Sequence, residues 1–109
     1  MIKGIGIDVV SNKRIRLVLE RWGDRFLRKV FNEEELNFIL PYVNRVETVA
    51  SRWALKEAVI KAVGNIGFKD IRILGNHKNV RVEVEGIEGV IFFSMSHERD
   101  FSIAVAVWI

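Results

Sequence analysis

One helix predicted from the sequence, residues 46–63, is apolar around almost its whole circumference and yet carries two charges one turn apart. The charges are Glu57 and Lys61, within residues 52–62, which read RWALKEAVIKA. A surface helix places its charges on one solvent-facing side. At 100° per residue, Glu57 instead lies next to Trp53, and Lys61 lies beside Glu57. Charges in an apolar surface are costly unless something binds them, so we expect chemistry at this helix.

The segments around this helix predict an α+β fold, with an N-terminal strand first, helices next and an antiparallel β meander last. Alternating apolar residues predict the strand at residues 2–10. Three shorter helices are expected at about residues 12–22, 25–30 and 33–40, and four strands at residues 71–74, 80–84, 90–96 and 101–108. Short turns between successive strands favour antiparallel pairing. The length of 109 residues predicts one domain over residues 1–109.

Asp8 shares one face of the first strand with two glycines, Gly4 and Gly6. The glycines either leave open space around the carboxylate or allow another backbone to pack closely. By its position alone, Asp8 is equally compatible with a role as a cap or turn residue. The last strand alternates large residues with small ones. One of its faces is expected to be core, and its small face to lie against a helix or another subunit.

The composition limits the kinds of site that the chain can build. It has no cysteine and only two histidines, which excludes disulfides and argues against a classical zinc site. A divalent metal would need carboxylate ligands, which points to Mg²⁺ or a similar hard cation. The N-terminus is interrupted too early by Asp8 for a signal peptide. No apolar run has transmembrane length, so we expect a cytoplasmic protein with no membrane association.

The positive charge is concentrated near the N-terminus. The net charge is +3, but residues 13–29 contain seven basic and two acidic residues, so the rest of the chain is net acidic. Arg14 and Arg21 are seven residues apart and therefore lie on one face of the first helix. This cluster predicts docking of an acidic partner. The alternative is an ordinary solvated face.

Four motifs, in this order and at this spacing, resemble the holo-acyl-carrier-protein synthase family of 4′-phosphopantetheinyl transferases. Residues 4–10, GIGIDVV, resemble the opening G-I-G-x-D block, and residues 52–62 resemble (F/W)-x-x-K-E-A-x-x-K-A. Residues 31–36, FNEEEL, are similar to F-T-x-x-E-L, and residues 94–97, SMSH, are similar to S-x-S-H. Asn32 replaces the usual threonine, the loops at residues 42–47 and 75–79 look shorter, and the family's G-T-G is here GNIG at residues 64–67.

The resemblance implies transfer of the 4′-phosphopantetheine arm of coenzyme A to a serine of apo-acyl carrier protein. Adenosine 3′,5′-bisphosphate is released, and the reaction supports fatty acid biosynthesis. By the same resemblance, Asp8 and Glu57 are Mg²⁺ ligands, and Lys61 contacts the pyrophosphate. Glu57 and Lys61 are thus the candidate catalytic residues. The base that takes the serine proton remains open between Glu57 and a metal-bound water.

The remaining implied sites concern the two substrates and the assembly. Arg52, Lys61, Gly64, Ser96 and His97 are expected to line the coenzyme A site, with His97 near the 3′-phosphate. Arg14 and Arg21 are expected to dock the acidic helix of the carrier protein, where complementary charge raises the association rate. The family also implies a homotrimer with active sites between subunits.

Simpler interpretations exist for several of these residues. Glu57 and Lys61 form an ordinary i,i+4 ion pair if nothing else binds them. The alternative to phosphate binding by His97 is a purely structural role. Trp53 is expected in the core, and Lys56 is either solvent-facing or near a phosphate. The alternative function is a small basic nucleic-acid-binding module. The strands lack the aromatic pattern typical of RNA-binding sheets, so we favour the enzyme and expect no nucleic-acid partner.

Overall fold

The computed structural model describes residues 1–42, 46–76 and 78–109 and has the predicted order of elements. Its helices and strands are β1 (Gly4–Ser11), α1 (Asn12–Trp22), α2 (Asp24–Val30), α3 (Glu33–Ile39), α4 (Val46–Val63), β2 (Ile71–Leu74), β3 (Arg81–Val84), β4 (Ile91–His97) and β5 (Phe101–Trp108). The α+β class is confirmed, and α4 has the predicted bounds. The loops at residues 42–47 and 75–79 lie partly outside the described residues.

The last four strands form two hairpins in separate sheets, where the sequence predicted one meander. β1, β5 and β4 form an antiparallel sheet with β5 in the middle, and β2 pairs with β3 in a second sheet. The connection between β3 and β4 contains Gly86 and Gly89, both with positive φ. Such backbone angles are open to glycine and rare for other residues. They redirect the chain from one sheet to the other.

Helix α4 packs on one face of the three-stranded sheet, and glycines in β1 allow it to approach closely. A Cβ atom on Gly6 would lie 1.9 Å from the carbonyl oxygen of Ala58, and one on Gly4 would lie 1.8 Å from that of Ala62. Close backbone packing is therefore the reason for these glycines. It also brings β1 within reach of the side chains of α4.

The small residues of β5 face α4, and the large ones face outward. Ala104 and Ala106 are buried, whereas Phe101 is 51% exposed and Ile103 is 37% exposed. The small face therefore lies against a helix, one of the two arrangements that the sequence left open, because only small side chains fit beneath the closely packed α4. Ile5, Ile7 and Val9 of β1 are also exposed, so this sheet carries an open apolar face.

Lys56 is fully buried and joins α4 to the elements around it. Its Nζ donates to Glu35 Oε1 at 2.6 Å and to the carbonyl oxygens of Val30, Phe68 and Ile71. Burial lowers the pKa of Lys56, and the adjacent Glu35 opposes that shift. Lys56 therefore holds the fold together and does not face solvent, which resolves the question that the sequence left open.

Candidate functional site

The lysine near the end of α4 pairs with the aspartate of β1. Lys61 Nζ donates to Asp8 Oδ1 at 3.1 Å and to the carbonyl oxygen of Ile7 at 2.9 Å. The helix lies directly over Gly6, so the lysine reaches across to the strand. Among the described residues, Lys61 forms its ion pair with Asp8 and not with Glu57, so the ordinary i,i+4 pair is not formed.

The second oxygen of Asp8 is buried and unpaired. Among the side chains of the described residues, Asp8 Oδ2 is the one buried polar atom without a hydrogen-bond partner. Such an atom in a folded protein calls for an explanation, of which a missing ion is one. The pKa of Glu57 is raised, first by burial and then by the negative charge of Asp8, while Lys61 opposes the shift. Two carboxylates thus repel each other beside an unsatisfied oxygen.

This arrangement fits a hard divalent cation. A cation between Asp8 and Glu57 would bind the unpaired oxygen and remove the repulsion between the carboxylates. Mg²⁺ is typically held by one or two carboxylates and keeps water or phosphate oxygens in its other positions. No group of three or more potential metal-binding side chains occurs within the described ranges, so water or substrate would have to supply the remaining ligands.

Arg52 and His97 meet in a small pocket. The pocket has a volume of about 180 Å³ and is lined by Thr48, Ser51, Arg52, Val80, Met95 and His97. The guanidinium of Arg52 lies 4.3 Å from the centre of the Phe38 ring. Burial lowers the pKa of Arg52, and Glu35 opposes that shift. A buried cation next to a histidine is a suitable place for an anionic group of a ligand.

The other residues predicted for the coenzyme A site are divided between two places. Ser96 and His97 line a neighbouring pocket of about 350 Å³ with Val9. Gly64 follows the end of α4, twelve residues after Arg52, which corresponds to roughly 18 Å along a helix. Its φ of +78° suits glycine, and a Cβ there would meet nothing within 4 Å. Within one chain, Gly64 and Arg52 therefore do not form a single pocket.

Arg14 and Arg21 line one groove on α1, as predicted. The groove has a volume of about 430 Å³ and is lined by Ser11, Lys13, Arg14, Leu17, Val18, Arg21 and Trp22. Arg14 also lines an adjoining pocket of about 390 Å³, formed with residues of α2 and with Trp53 of α4. A surface that is both basic and apolar can bind an amphipathic acidic helix.

Two tryptophans that the sequence did not single out as site candidates lie at this surface. Trp22 is exposed, and the guanidinium groups of Arg21 and Arg25 lie 5.2 Å and 5.4 Å from its ring centre. Trp53 was expected in the core, yet it is half-buried and lines the pocket next to Arg14. The available signal was the position of Trp22 between Arg21 and Arg25, within the basic segment of residues 13–29.

Comparison with known proteins gives one consistent result. Residues 4–106 match the 4′-phosphopantetheinyl transferase superfamily. A holo-[acyl-carrier-protein] synthase from Aquifex aeolicus is 41% identical to this chain, and the alignment covers 94% of each sequence. A synthase of the same name from Halothermothrix orenii is 42% identical, and its alignment covers 98% of this chain and 97% of the relative. The crystal structure of the Bacillus anthracis synthase in complex with CoA (3′,5′-ADP) superposes on this chain with a TM-score of 0.86 at 32% sequence identity. The superposition covers 99% of this chain and 96% of the Bacillus anthracis chain.

The chain belongs to the 4′-phosphopantetheinyl transferase superfamily. The predicted resemblance to holo-acyl-carrier-protein synthases is confirmed, and so is the prediction that the chain is a phosphopantetheinyl transferase enzyme. This membership favours the enzyme over the nucleic-acid-binding alternative. Within the described residues, no helix of this transferase is long and apolar enough to cross a membrane.

Proposed function

We propose that this transferase moves the 4′-phosphopantetheine group of coenzyme A to a serine of apo-acyl carrier protein, with Mg²⁺ as cofactor. The observation that carries the proposal is the unpaired Asp8 Oδ2 beside Glu57 and Lys61. The names of the relatives and the coenzyme A complex of the Bacillus anthracis synthase support the choice of substrates. Adenosine 3′,5′-bisphosphate is the other product, and fatty acid biosynthesis is the process supplied.

Asp8 and Glu57 would hold the metal ion, which supplies neutralisation of pyrophosphate charge when bound. Lys61 is well placed to add a second positive charge. Its side chain is half exposed, and its Nζ already lies against Asp8. A phosphate oxygen that approaches Asp8 therefore meets the ammonium group without a large rearrangement. Positioning and charge neutralisation supply most of the catalysis in phosphoryl transfer.

In the transfer, the serine Oγ forms a bond to the phosphorus on the pantetheine side of the pyrophosphate. The bond from that phosphorus to the adenosine 3′,5′-bisphosphate oxygen breaks, and the serine proton must leave. Glu57 and a water on the metal are the two candidate bases, since the carboxylate of Glu57 lies beside Asp8 and Lys61. Lys61 would stabilise the negative charge on the leaving group.

The nucleotide end of coenzyme A would bind at the pocket of Arg52 and His97. The 3′-phosphate is dianionic, and Arg52 offers a buried guanidinium that forms no ion pair with a described carboxylate. Ser96 lines the neighbouring pocket. Gly64, at the far end of α4, would contact another part of the substrate. The carrier protein would dock on the groove that contains Arg14 and Arg21.

The open apolar face of the sheet supports a homotrimer with active sites between subunits. Exposed Ile5, Ile7, Val9, Phe101 and Ile103 lie on neighbouring strands. Large contiguous apolar faces are uncommon on monomers and are typical of interfaces. The separation of Gly64 from Arg52 is the arrangement expected if neighbouring subunits complete each site. We further propose one domain per chain and a cytoplasmic location.

The decisive test is a transfer assay with the intact protein, coenzyme A, Mg²⁺ and apo-carrier protein, read by mass spectrometry of the carrier. The expected result is a mass increase equal to one phosphopantetheine, lost when a chelator replaces Mg²⁺. A carrier of unchanged mass would overturn the proposal. Tight binding of single-stranded RNA at moderate salt, with no transfer, would support the alternative instead.

The assembly is tested separately by sedimentation equilibrium. Wild-type protein is expected at three times the chain mass. Ile7→Lys places a charge on the open apolar face and should yield smaller species. Lys13→Glu, which changes a charge on α1 outside that face, is the matched control. A wild-type monomer at micromolar concentration would contradict the trimer.

A further inference from the structure

A single buried side chain at the start of α1 holds the turn between β4 and β5. Asn12 Nδ2 donates to the carbonyl oxygens of Glu98 at 2.8 Å and Arg99 at 3.1 Å. The backbone N–H of Asn12 donates to the carbonyl oxygen of Asp100 at 2.9 Å. The three turn residues are exposed, whereas Asn12 is buried. One residue of α1 thus binds three successive carbonyl groups of the turn.

The acceptor side of the same amide continues the network toward α4. Ser102 Oγ donates to Asn12 Oδ1 at 2.7 Å, and Ser51 Oγ donates to the carbonyl oxygen of Glu47 at 2.7 Å. The two hydroxyl oxygens are 3.5 Å apart. Each hydroxyl has one proton, and both protons are already used, so the contact between the serines is weak. The strongly bonded part of the network therefore runs from the turn through Asn12 to Ser102.

The turn held by Asn12 comes directly after Ser96 and His97. His97 is the last residue of β4 and lines the pocket with Arg52, and Ser51 lines the same pocket. The network consequently lies beneath the predicted nucleotide end of the coenzyme A site. Asn12 does not cap α1, because the cap is Ser11, whose Oγ accepts from the backbone N–H of Arg14 at 3.2 Å.

We propose that Asn12 is a positioning residue for coenzyme A, because it fixes the turn after β4. His97 then keeps its place beside Arg52, and Ser96 keeps its place in the neighbouring pocket. The proposal rests on the proposed function, because it assigns the end of β4 to coenzyme A binding. Removing the amide leaves two part-buried carbonyl groups without their side-chain donor, and the exposed turn has few other attachments. The end of β4 then samples several positions, which weakens binding of the nucleotide more than it slows the transfer step.

The test compares Asn12→Ala with Ser102→Ala. Both variants remove a buried hydrogen bond at the same place, but Ser102→Ala leaves both donations to the turn intact. Asn12→Ala is expected to raise the KM for coenzyme A roughly tenfold, with kcat and the carrier KM within about twofold of wild type. Ser102→Ala is expected to leave all three constants within about twofold. Titration with adenosine 3′,5′-bisphosphate should give the same order of affinities.

Hydrogen exchange gives a second measurement that does not depend on activity. The amides of residues 98–101 should exchange faster in Asn12→Ala than in Ser102→Ala. Equal exchange, or an unchanged KM for coenzyme A, would overturn the positioning role while wild-type transfer continues. Wild-type protein that transfers nothing would instead overturn the proposed function and this role with it. If Asn12→Ala does not fold, Asn12→Leu, which restores most of the volume, replaces it with the same expected results.

Discussion

Lys61 Nζ and Asp8 Oδ1 lie 3.1 Å apart, so the positive charge of α4 is matched by a carboxylate of β1 and not by Glu57 on the same helix. Burial and the negative charge of Asp8 raise the pKa of Glu57, and Lys61 only partly offsets that shift. The ammonium group of Lys61 is therefore the one positive charge shared by the carboxylates of Asp8 and Glu57, and Asp8 Oδ2 has no hydrogen-bond partner. This imbalance of charge is unfavourable in the metal-free protein and favours binding of a further cation.

Lys61→Gln should remove activity with little loss of stability. The pair with Asp8 is partly exposed, so its loss should reduce the free energy of unfolding by about 1 kcal/mol or less. The transfer rate should fall roughly 100-fold or more, since a charge next to the reacting phosphates is lost. Urea unfolding and the mass-spectrometric assay measure the two effects. Lys78→Gln, an exposed lysine between β2 and β3 that lines none of the pockets described above, is the control, and a normal kcat in Lys61→Gln would remove Lys61 from the reaction.

Glu57→Gln should stabilise the metal-free protein at neutral pH. Because the folded state raises the pKa of Glu57 above its ordinary value of 4.5, its stabilising contribution is complete below that value and is lost as the pH rises through the folded pKa. The variant does not titrate at this position. The free energy of unfolding of wild type relative to Glu57→Gln should therefore fall as the pH rises above 4.5.

This measurement uses urea unfolding with a chelator present. Glu47→Gln, ten residues earlier on α4, is the matched control and should follow wild type. Added Mg²⁺ should stabilise wild type and leave Glu57→Gln unchanged, because only the wild type retains both carboxylates. If the difference in unfolding free energy between wild type and Glu57→Gln does not change with pH, the raised pKa of Glu57 would be contradicted.

The local elements could be predicted from the sequence, but the pairing between distant residues could not. The pattern of apolar residues gave the bounds of α4, and alternation gave β5. Alternation does not say which face of a strand is buried, however. For β5 that choice depends on the close approach of α4 to β1 at Gly6, a contact between segments about fifty residues apart in the sequence.

The candidate site divides in the same way. Asp8, Glu57 and Lys61 were identified by motif, and the structure brings them together. Their pairing scheme was not predictable, since Lys61 could reach either carboxylate. Lys56 stayed ambiguous because its partner Glu35 is 21 residues away in the sequence. Its burial follows from the way α2, α3 and residues 68–71 surround it, which local patterns do not determine.

Lys56→Met should destabilise the fold far more than any change at Lys61. The methionine leaves the Glu35 carboxylate buried without its cation, and such losses amount to about 3–5 kcal/mol. Glu35→Gln should also destabilise, and the double variant should lose less than the sum of the two single changes because they share one interaction. Urea unfolding of the four proteins gives the coupling. Additive losses would contradict direct pairing.

Arg14→Glu should weaken carrier docking without affecting coenzyme A. The change reverses a charge in the groove on α1, so the KM for the carrier should rise at low salt by roughly tenfold or more, and the difference should shrink as salt is added. Arg16→Glu is the matched control, because Arg16 is exposed on the same helix but lines neither pocket. Equal effects of the two variants would indicate general charge attraction and would contradict a defined docking groove.

Gly6→Ala should damage both the fold and the site, because the added Cβ would lie 1.9 Å from the backbone oxygen of Ala58. No side-chain rotation relieves a clash between a Cβ atom and a backbone oxygen, so α4 must move away from β1. That movement separates Lys61 from Asp8, and we expect a loss of several kcal/mol in unfolding free energy together with loss of transfer. Gly67→Ala is the matched control, since its Cβ would lie at an ordinary 3.8 Å from Asp70 Oδ2. A Gly6→Ala protein with a wild-type melting temperature and normal transfer would show that the helix and strand do not need this close contact.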